Sequence, residues 1–155
     1  MAKVYLETSF LSACVWNRTD AKSVVCQDES RRWWQQQRLN HELCLSAEVI
    51  RELSQPGFHN KDDALLLTLG IYALPIDDEV RGFAKILVRE HVMPGPEEEG
   101  DAIHVAAATI HAAEYIVSWN VKHLANLNKI KHLREVCRRA GYIPPIIVTP
   151  DSLWT

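Results

Sequence analysis

The sequence contains no apolar run approaching the roughly 18 residues that a membrane-spanning helix needs, and its start, MAKVYLETSF, shows no basic region leading into a long apolar one. A soluble, cytoplasmic protein without membrane partners is therefore expected. There is no CxxC pair. The four cysteines, Cys14, Cys26, Cys44 and Cys137, are scattered, which argues against a zinc knuckle or a redox couple and for reduced thiols packed as small core hydrophobes. No GxxxxGK[ST] loop is present to cradle a nucleotide's phosphates, and no HExxH helix to hold a hydrolytic zinc. Low-complexity segments and internal repeats are missing too. So is a strong charge of either sign: the net charge is -3, so affinity for phosphates must come from a local patch or a bound cation.

What is present is a core-forming composition. With 155 residues, 47% of them hydrophobic and 24% charged, the chain fits one domain over 1–155 that needs no covalent staples. Short apolar runs at 3–6, 42–45, 71–76 (with Pro75 inside), 115–117 and 146–148 read as strands. Helices are expected from Thr8 and Ser9 onward, at 21–37, at 47–53 with Ser46 as the capping hydroxyl, at 62–69, at 77–89, at 101–114 and at 130–140, the last ended by Gly141. The helix at 101–114 carries Ala106, Ala107, Ala108, Ala112 and Ala113, and so many small residues imply close packing against a sheet. Strands alternating with helices at these lengths predict an α/β, three-layer sandwich around a mainly parallel sheet of about five strands.

Functional groups in such sheets collect just beyond the carboxyl ends of the strands. Glu7 follows the first strand and Asn120 the fourth, while Glu52, about one turn into the helix after the second strand, and Asp101, at the first turn of the alanine-rich helix, can join them. Carboxylates gathered in one crevice repel, and a hard cation that prefers oxygen ligands, Mg²⁺ or Mn²⁺, relieves that repulsion. An ion so held suits phosphodiester hydrolysis. Each residue also has a plainer reading. Asp101 would favour a helix dipole at its N-terminus, Glu52 competes with Glu48 one turn earlier, and Asn120 is a natural turn former. His104, three residues after Asp101, shares its helical face and could orient that carboxylate, but reads sooner as a satisfied, partly buried histidine and not as a catalytic group.

Four segments in order, VYLETSFL at 4–11, SAEVIREL at 46–53, GDAIHVAAA at 100–108 and VSWNVKHLAN at 117–126, resemble the PIN-domain family, with DAIHVAAA and SWNVKHLAN closest to a VapC-type, toxin-like bacterial subgroup. The resemblance runs from about residue 4 to the end of the sequence. It implies a metal-dependent endoribonuclease, the toxin of a toxin–antitoxin pair, whose antitoxin partner would cover the acidic crevice. It also implies that Glu7, Glu52, Asp101 and Asn120 form the catalytic set, that Glu7, Asp101 and Asn120 contact Mg²⁺ or Mn²⁺, and that Thr8 or Ser9 assists through a hydroxyl. The sequence departs from the family's commonest pattern twice, with Glu7 and Asn120 standing where aspartates are usual. These departures keep open a second function, a PIN domain that binds RNA or protein without cutting. A phosphoacceptor domain fits less well, because Glu7 is followed by Thr8 and Ser9 and not by a second acid.

Outside this set, Lys122, Lys129 and Lys131 open a basic segment at 122–139 that could track an RNA backbone or simply form a solvated helix face. Trp33 and Trp34 could anchor a partner, a second copy of the chain included, or belong to the core. The glutamate run at 97–99 reads as a solvated loop.

Overall fold

A computed structural model describes all residues, Met1–Thr155. The apolar runs form five strands, β1 (Lys3–Leu6), β2 (Glu42–Ser46), β3 (Tyr72–Leu74), β4 (Tyr115–Val117) and β5 (Ile146–Val148), all parallel, in the order β3-β2-β1-β4-β5. Eight helices flank the sheet: α1 (Thr8–Val15), α2 (Ala21–Gln36), α3 (Ala47–Leu53), α4 (Lys61–Leu67), α5 (Asp78–Arg89), α6 (Asp101–Ile110), α7 (Val121–Leu124) and α8 (Leu127–Ala140). Right-handed crossovers place α1 to α4 on one face and α5 to α8 on the other. Accordingly α1 packs on α2, α3 and α4, and α5 packs on α6. The chain steps from β1 outward to β3, then returns to β4 on the opposite side of β1. The crevice beyond β1 and β4 is therefore the switch point at which sheets of this class place their sites.

The core is built from both faces of β1, where Val4, Tyr5 and Leu6 are fully buried. Helix α5 presents Val80, Phe83, Ala84 and Leu87, the three- and four-residue spacing of one apolar stripe. Helix α6 is buried on every side from Ala102 to Thr109, and its alanines permit the close approach expected of them. Trp33 lies wholly in the core, stacked on His41 at 5.6 Å and donating its indole N–H to the Leu153 carbonyl at 2.7 Å. Cys14, Cys44 and Cys137 are buried, but Cys26 is only half-buried; all four are free thiols.

Several boundaries depart from the sequence reading. Helix α6 stops at Ile110 and does not continue to Glu114, because Ala112 takes a left-handed conformation (φ 56°) and the chain closes back on itself, Ala113 N–H to Ala108 C=O at 2.8 Å and Ala112 N–H to Thr109 C=O at 3.2 Å. That is the paired closure usually served by glycine. Helix α8 ends in the same way at Gly141 (φ 83°), with Tyr142 N–H reaching Cys137 C=O at 2.8 Å. It begins at Leu127, three residues earlier than the spacing suggests, because the Asn126 side chain accepts the Lys129 N–H at 3.0 Å. Strand β3 is only Tyr72–Leu74, α4 ends at Leu67 where Thr68 bonds back to Leu65, and the short α7 has no counterpart in the sequence reading. Ser46 occupies the cap position of α3, but its hydroxyl caps nothing. It is paired with the Tyr5 hydroxyl at 2.7 Å.

An L-residue in the left-handed region costs about 1–2 kcal/mol, partly offset on replacement by the greater unfolded-state freedom of glycine. Ala112→Gly should therefore raise the unfolding free energy by about 0.5–1 kcal/mol, and Gly141→Ala should lower it by about 1 kcal/mol, both read from urea denaturation. Equal stability of all three proteins would contradict this account of the two helix ends.

Candidate active site

Strand β1 delivers Glu7 into the crevice. Its backbone N–H continues the sheet to Val117 C=O at 3.1 Å, and its side chain turns back to cap α1. The carboxylate is 2% exposed, so its charge must be met by donors. Three of them converge on one oxygen: Oε2 accepts the Ser9 N–H at 3.0 Å, the Ser118 hydroxyl at 2.7 Å and the Ser9 hydroxyl. Oε1 receives none. Because Leu6 lies opposite Val117 in the sheet, Ser118 is brought beside Glu7 by register alone.

Glu52 comes from the last turn of α3 and has the same asymmetry. Its Oε1 accepts the Thr8 hydroxyl at 2.7 Å and the His104 Nε2–H, while Oε2 has no protein donor. His104 is fully buried in α6, and its other nitrogen, Nδ1, meets the Tyr5 hydroxyl at 2.7 Å. A carboxylate only accepts, so Nε2 is the donor, and Nδ1 accepts from Tyr5 in the neutral ring. Glu7, Glu52 and His104 bring ligand-type atoms within 4.8 Å of one another. Both ring nitrogens of His104 are already engaged, however, so the ring orients Glu52 and the free oxygens of the carboxylates are what remain for a cation.

Asp101 opens α6 one turn before His104. It lies outside that tight group, and no hydrogen bond contributes to its ionisation; burial is the largest influence and raises its carboxyl, Glu52 raises it further, and His104, Lys129 and His123 oppose. The start of α6 is held by Glu48, whose Oε1 accepts the Gly100 N–H at 3.0 Å while Arg51 grips both of its oxygens at 3.0 Å. The two glutamates of α3 are thereby told apart: Glu48 braces the neighbouring loop, and Glu52 faces Glu7. Arg51 also reaches Glu99 at 3.5 Å, so the end of the glutamate run is tied to α3. No lysine or arginine forms an ion pair with Glu7, Glu52 or Asp101.

Asn120 stands at the start of α7. Its backbone N–H bonds the Ser118 hydroxyl at 2.9 Å, its side chain makes no hydrogen bond, and it lines a groove beside Ser9. Lys122 lines the same groove, Lys129 lies near enough to Asp101 to depress its carboxyl, and Lys131 is exposed on α8. The sequence reading did not single out Ser118 or Tyr5, and the carboxylate it let His104 orient was Asp101, whereas the ring bonds Glu52. The one available signal was Tyr5, a hydroxyl in the middle of a buried strand that had to find a partner.

No family model and no curated protein matches the sequence. A chain in the crystal structure of VapBC2 from Rickettsia felis, bound to a DNA fragment from their promoter, superposes over 99% of this chain and 99% of its own with a TM-score of 0.54 and 12% identity. The fold is PIN-like. At that identity the PIN-like likeness speaks for architecture, and the chemistry rests on the residues themselves. No helix is long and apolar enough to cross a membrane.

Ionisation follows from this packing. Burial lowers the His104 ring, but the Glu52 hydrogen bond and the charges of Glu7, Glu52 and Asp101 outweigh it, and the net shift is upward from 6.5. Burial raises Glu52, yet His104, Thr8 and Arg51 prevail and it titrates below 4.5. Without metal, the His104 contribution to stability is complete below 6.5 and is lost as pH rises through its raised value; the Glu52 contribution is present above 4.5 and is lost as pH falls through its lowered value. Asp101, raised from 3.8, contributes stability that is complete below 3.8 and is lost as pH rises through its raised value, on the acid side of the His104 loss. Urea midpoints in EDTA between about pH 5 and about pH 9 should therefore decline on the alkaline side, and His104→Gln should flatten that decline. In the same variant, Mn²⁺ affinity measured by calorimetry should fall about 10- to 100-fold, as on loss of a ligand's orienting partner.

Proposed function

We propose that this chain is a metal-dependent endoribonuclease that hydrolyses RNA phosphodiester bonds, acting as the toxin of a toxin–antitoxin pair, with 1–155 forming one PIN-like domain. The observation that carries the reading is the pairing of Glu7 and Glu52, each with one oxygen fixed by protein donors and the other unclaimed, near an Asp101 with which no lysine or arginine forms an ion pair. All-oxygen donors and uncompensated negative charge fit Mg²⁺ or Mn²⁺ better than a soft metal. Such an ion, when bound, supplies charge stabilisation to a phosphodiester under attack.

The chain's own residues have separable roles in this reading. Glu7, Asp101 and, through its amide oxygen, Asn120 hold the ion, and Glu52 completes the catalytic set. Ser9, through Glu7, and Thr8, through Glu52, keep two carboxylates in fixed rotamers. His104 positions Glu52 from within the core. Lys122 and Lys129 stand where a phosphate backbone would pass, with Lys131 further out. The VapBC2 complex motivates the search for an antitoxin, and a homodimer is the other assembly to test.

Cleavage of a labelled RNA panel in Mg²⁺, Mn²⁺ or EDTA tests the proposal. Cutting should require the metal, and Asp101→Asn should reduce it about 100-fold or more, since loss of a ligand exceeds loss of a ligand's support. Folded protein that binds metal and RNA but never cuts would replace the nuclease with the binding module.

A further inference from the structure

A groove of about 770 Å³ opens beside the carboxylates, between the α1–α2 connection and the segment leading into α7. Ser9 and Asn120 form its inner end, and Trp16, Arg18, Lys22, Trp119 and Lys122 form its walls. No aspartate or glutamate lines it, although acids outnumber bases in the chain, 20 to 17. Asp20, the acid next to these bases in sequence, is turned to the start of α2, where it accepts the Ser23 N–H at 3.0 Å.

Both indoles are half-buried and fixed by their ring N–H groups, Trp16 to the Ser12 hydroxyl at 2.7 Å and Trp119 to the Ser30 hydroxyl at 2.8 Å. The Arg18 guanidinium lies 3.8 Å above the Trp16 ring. The connection carrying them is pinned. Buried Gln27 holds Arg18 by its N–H at 2.7 Å and by its C=O at 3.3 Å, and Arg31 bonds the Cys14 carbonyl at 2.9 Å. Trp119 is further tied to the site, its backbone N–H bonding the Ser9 hydroxyl at 2.8 Å.

Rigid aromatic faces alternating with unpaired cations are the features that bind single-stranded polynucleotides, since every base has a stacking face and every linkage a charge. We infer that this groove is the subsite for the single-stranded RNA flank next to the cut linkage, with Trp119 and the Arg18 guanidinium layered on Trp16 as planar base platforms and the charges of Arg18, Lys22 and Lys122 as phosphate contacts. The inference rests on the nuclease reading for its orientation toward the carboxylates, but binding is separable from cutting. A duplex, with its bases paired and stacked, offers the platforms nothing.

The test is binding of a fluorescein-labelled single-stranded RNA to the whole chain in EDTA, where cleavage is silent, across a salt series. The triple variant Arg18→Ala, Lys22→Ala, Lys122→Ala alters exposed side chains and should reduce the slope of log affinity against log salt by about 2, as expected for three phosphate contacts to a single strand. Trp16→Ala should weaken binding about 5-fold or more at every salt concentration. Circular dichroism checks that both variants are folded, and duplex RNA should bind the native chain more weakly than the single strand. Unchanged affinity and slope in the triple variant, or displacement of RNA by neither single strand nor duplex but by an acidic peptide, would overturn the inference. Metal-dependent cutting unaffected by the triple variant would overturn it while leaving the nuclease intact; variant-sensitive binding without cutting would do the reverse.

Discussion

A central strand that ends in a buried carboxylate imposes a demand on everything around it. Glu7 lies at the switch point of the sheet, almost wholly buried and without a lysine or arginine partner. Its charge is met by hydroxyl and backbone donors from two separate elements, Ser9 at the start of α1 and Ser118 at the end of β4. Those donors arrive only if β1 and β4 pair with Leu6 opposite Val117, since a slip by one residue would turn Ser118 to the other face. Sheet register and site geometry are thus one constraint seen twice. Because the donors use a single oxygen, the arrangement stabilises the ionised carboxylate and still leaves the other oxygen available.

A second chain of polar groups ties this site to the interior. Ser46, Tyr5, His104, Glu52 and Thr8 follow one another through hydrogen bonds, drawing in β2, β1, α6, α3 and α1. Such a string within an apolar core is tolerable only when every member is satisfied, and a single missing partner would leave a buried dipole unpaired. The string therefore favours one packing of α6 against β1 over the many that a smooth, alanine-rich helix would otherwise accept. Glu52 gains a fixed rotamer from it without any ligand to hold it in place.

The architecture was legible because its signals are local. Short β-prone runs separated by helical periods imply a parallel sheet, and Gly141 marks a helix end because glycine alone takes that conformation freely. Ala112 takes a left-handed conformation too, but alanine is the strongest helix former and gives no warning; the stop is imposed by the turn that buries Ala113 and carries the chain into β4. The same division runs through the site. Glu7 and Asn120 follow from the rule that groups gather at strand ends, and Asp101 and Glu52 from their places on helices. His104 was legible only as a histidine near an acid, because its partners Tyr5 and Glu52 lie 99 and 52 residues away. Ser46 was misassigned for the related reason that a hydroxyl at a cap position can be claimed by a closer buried partner.

Charge is arranged along this face with a sharp boundary. Carboxylates without a lysine or arginine partner occupy the crevice, and a groove with cations and no acids begins at Ser9 and Asn120. A polyanion drawn to the groove by its bases would meet repulsion at the crevice unless a divalent ion offset the carboxylates, so the two regions act together only when the ion is present. Asn120 sits on that boundary with a free amide. An aspartate there would extend the negative field into the groove, whereas the neutral amide would keep an oxygen donor for a bound ion and spare an approaching phosphate one repulsive charge. In the proposed nuclease, the neutral residue at this position would shift part of the burden of substrate attraction from the metal to Arg18, Lys22 and Lys122.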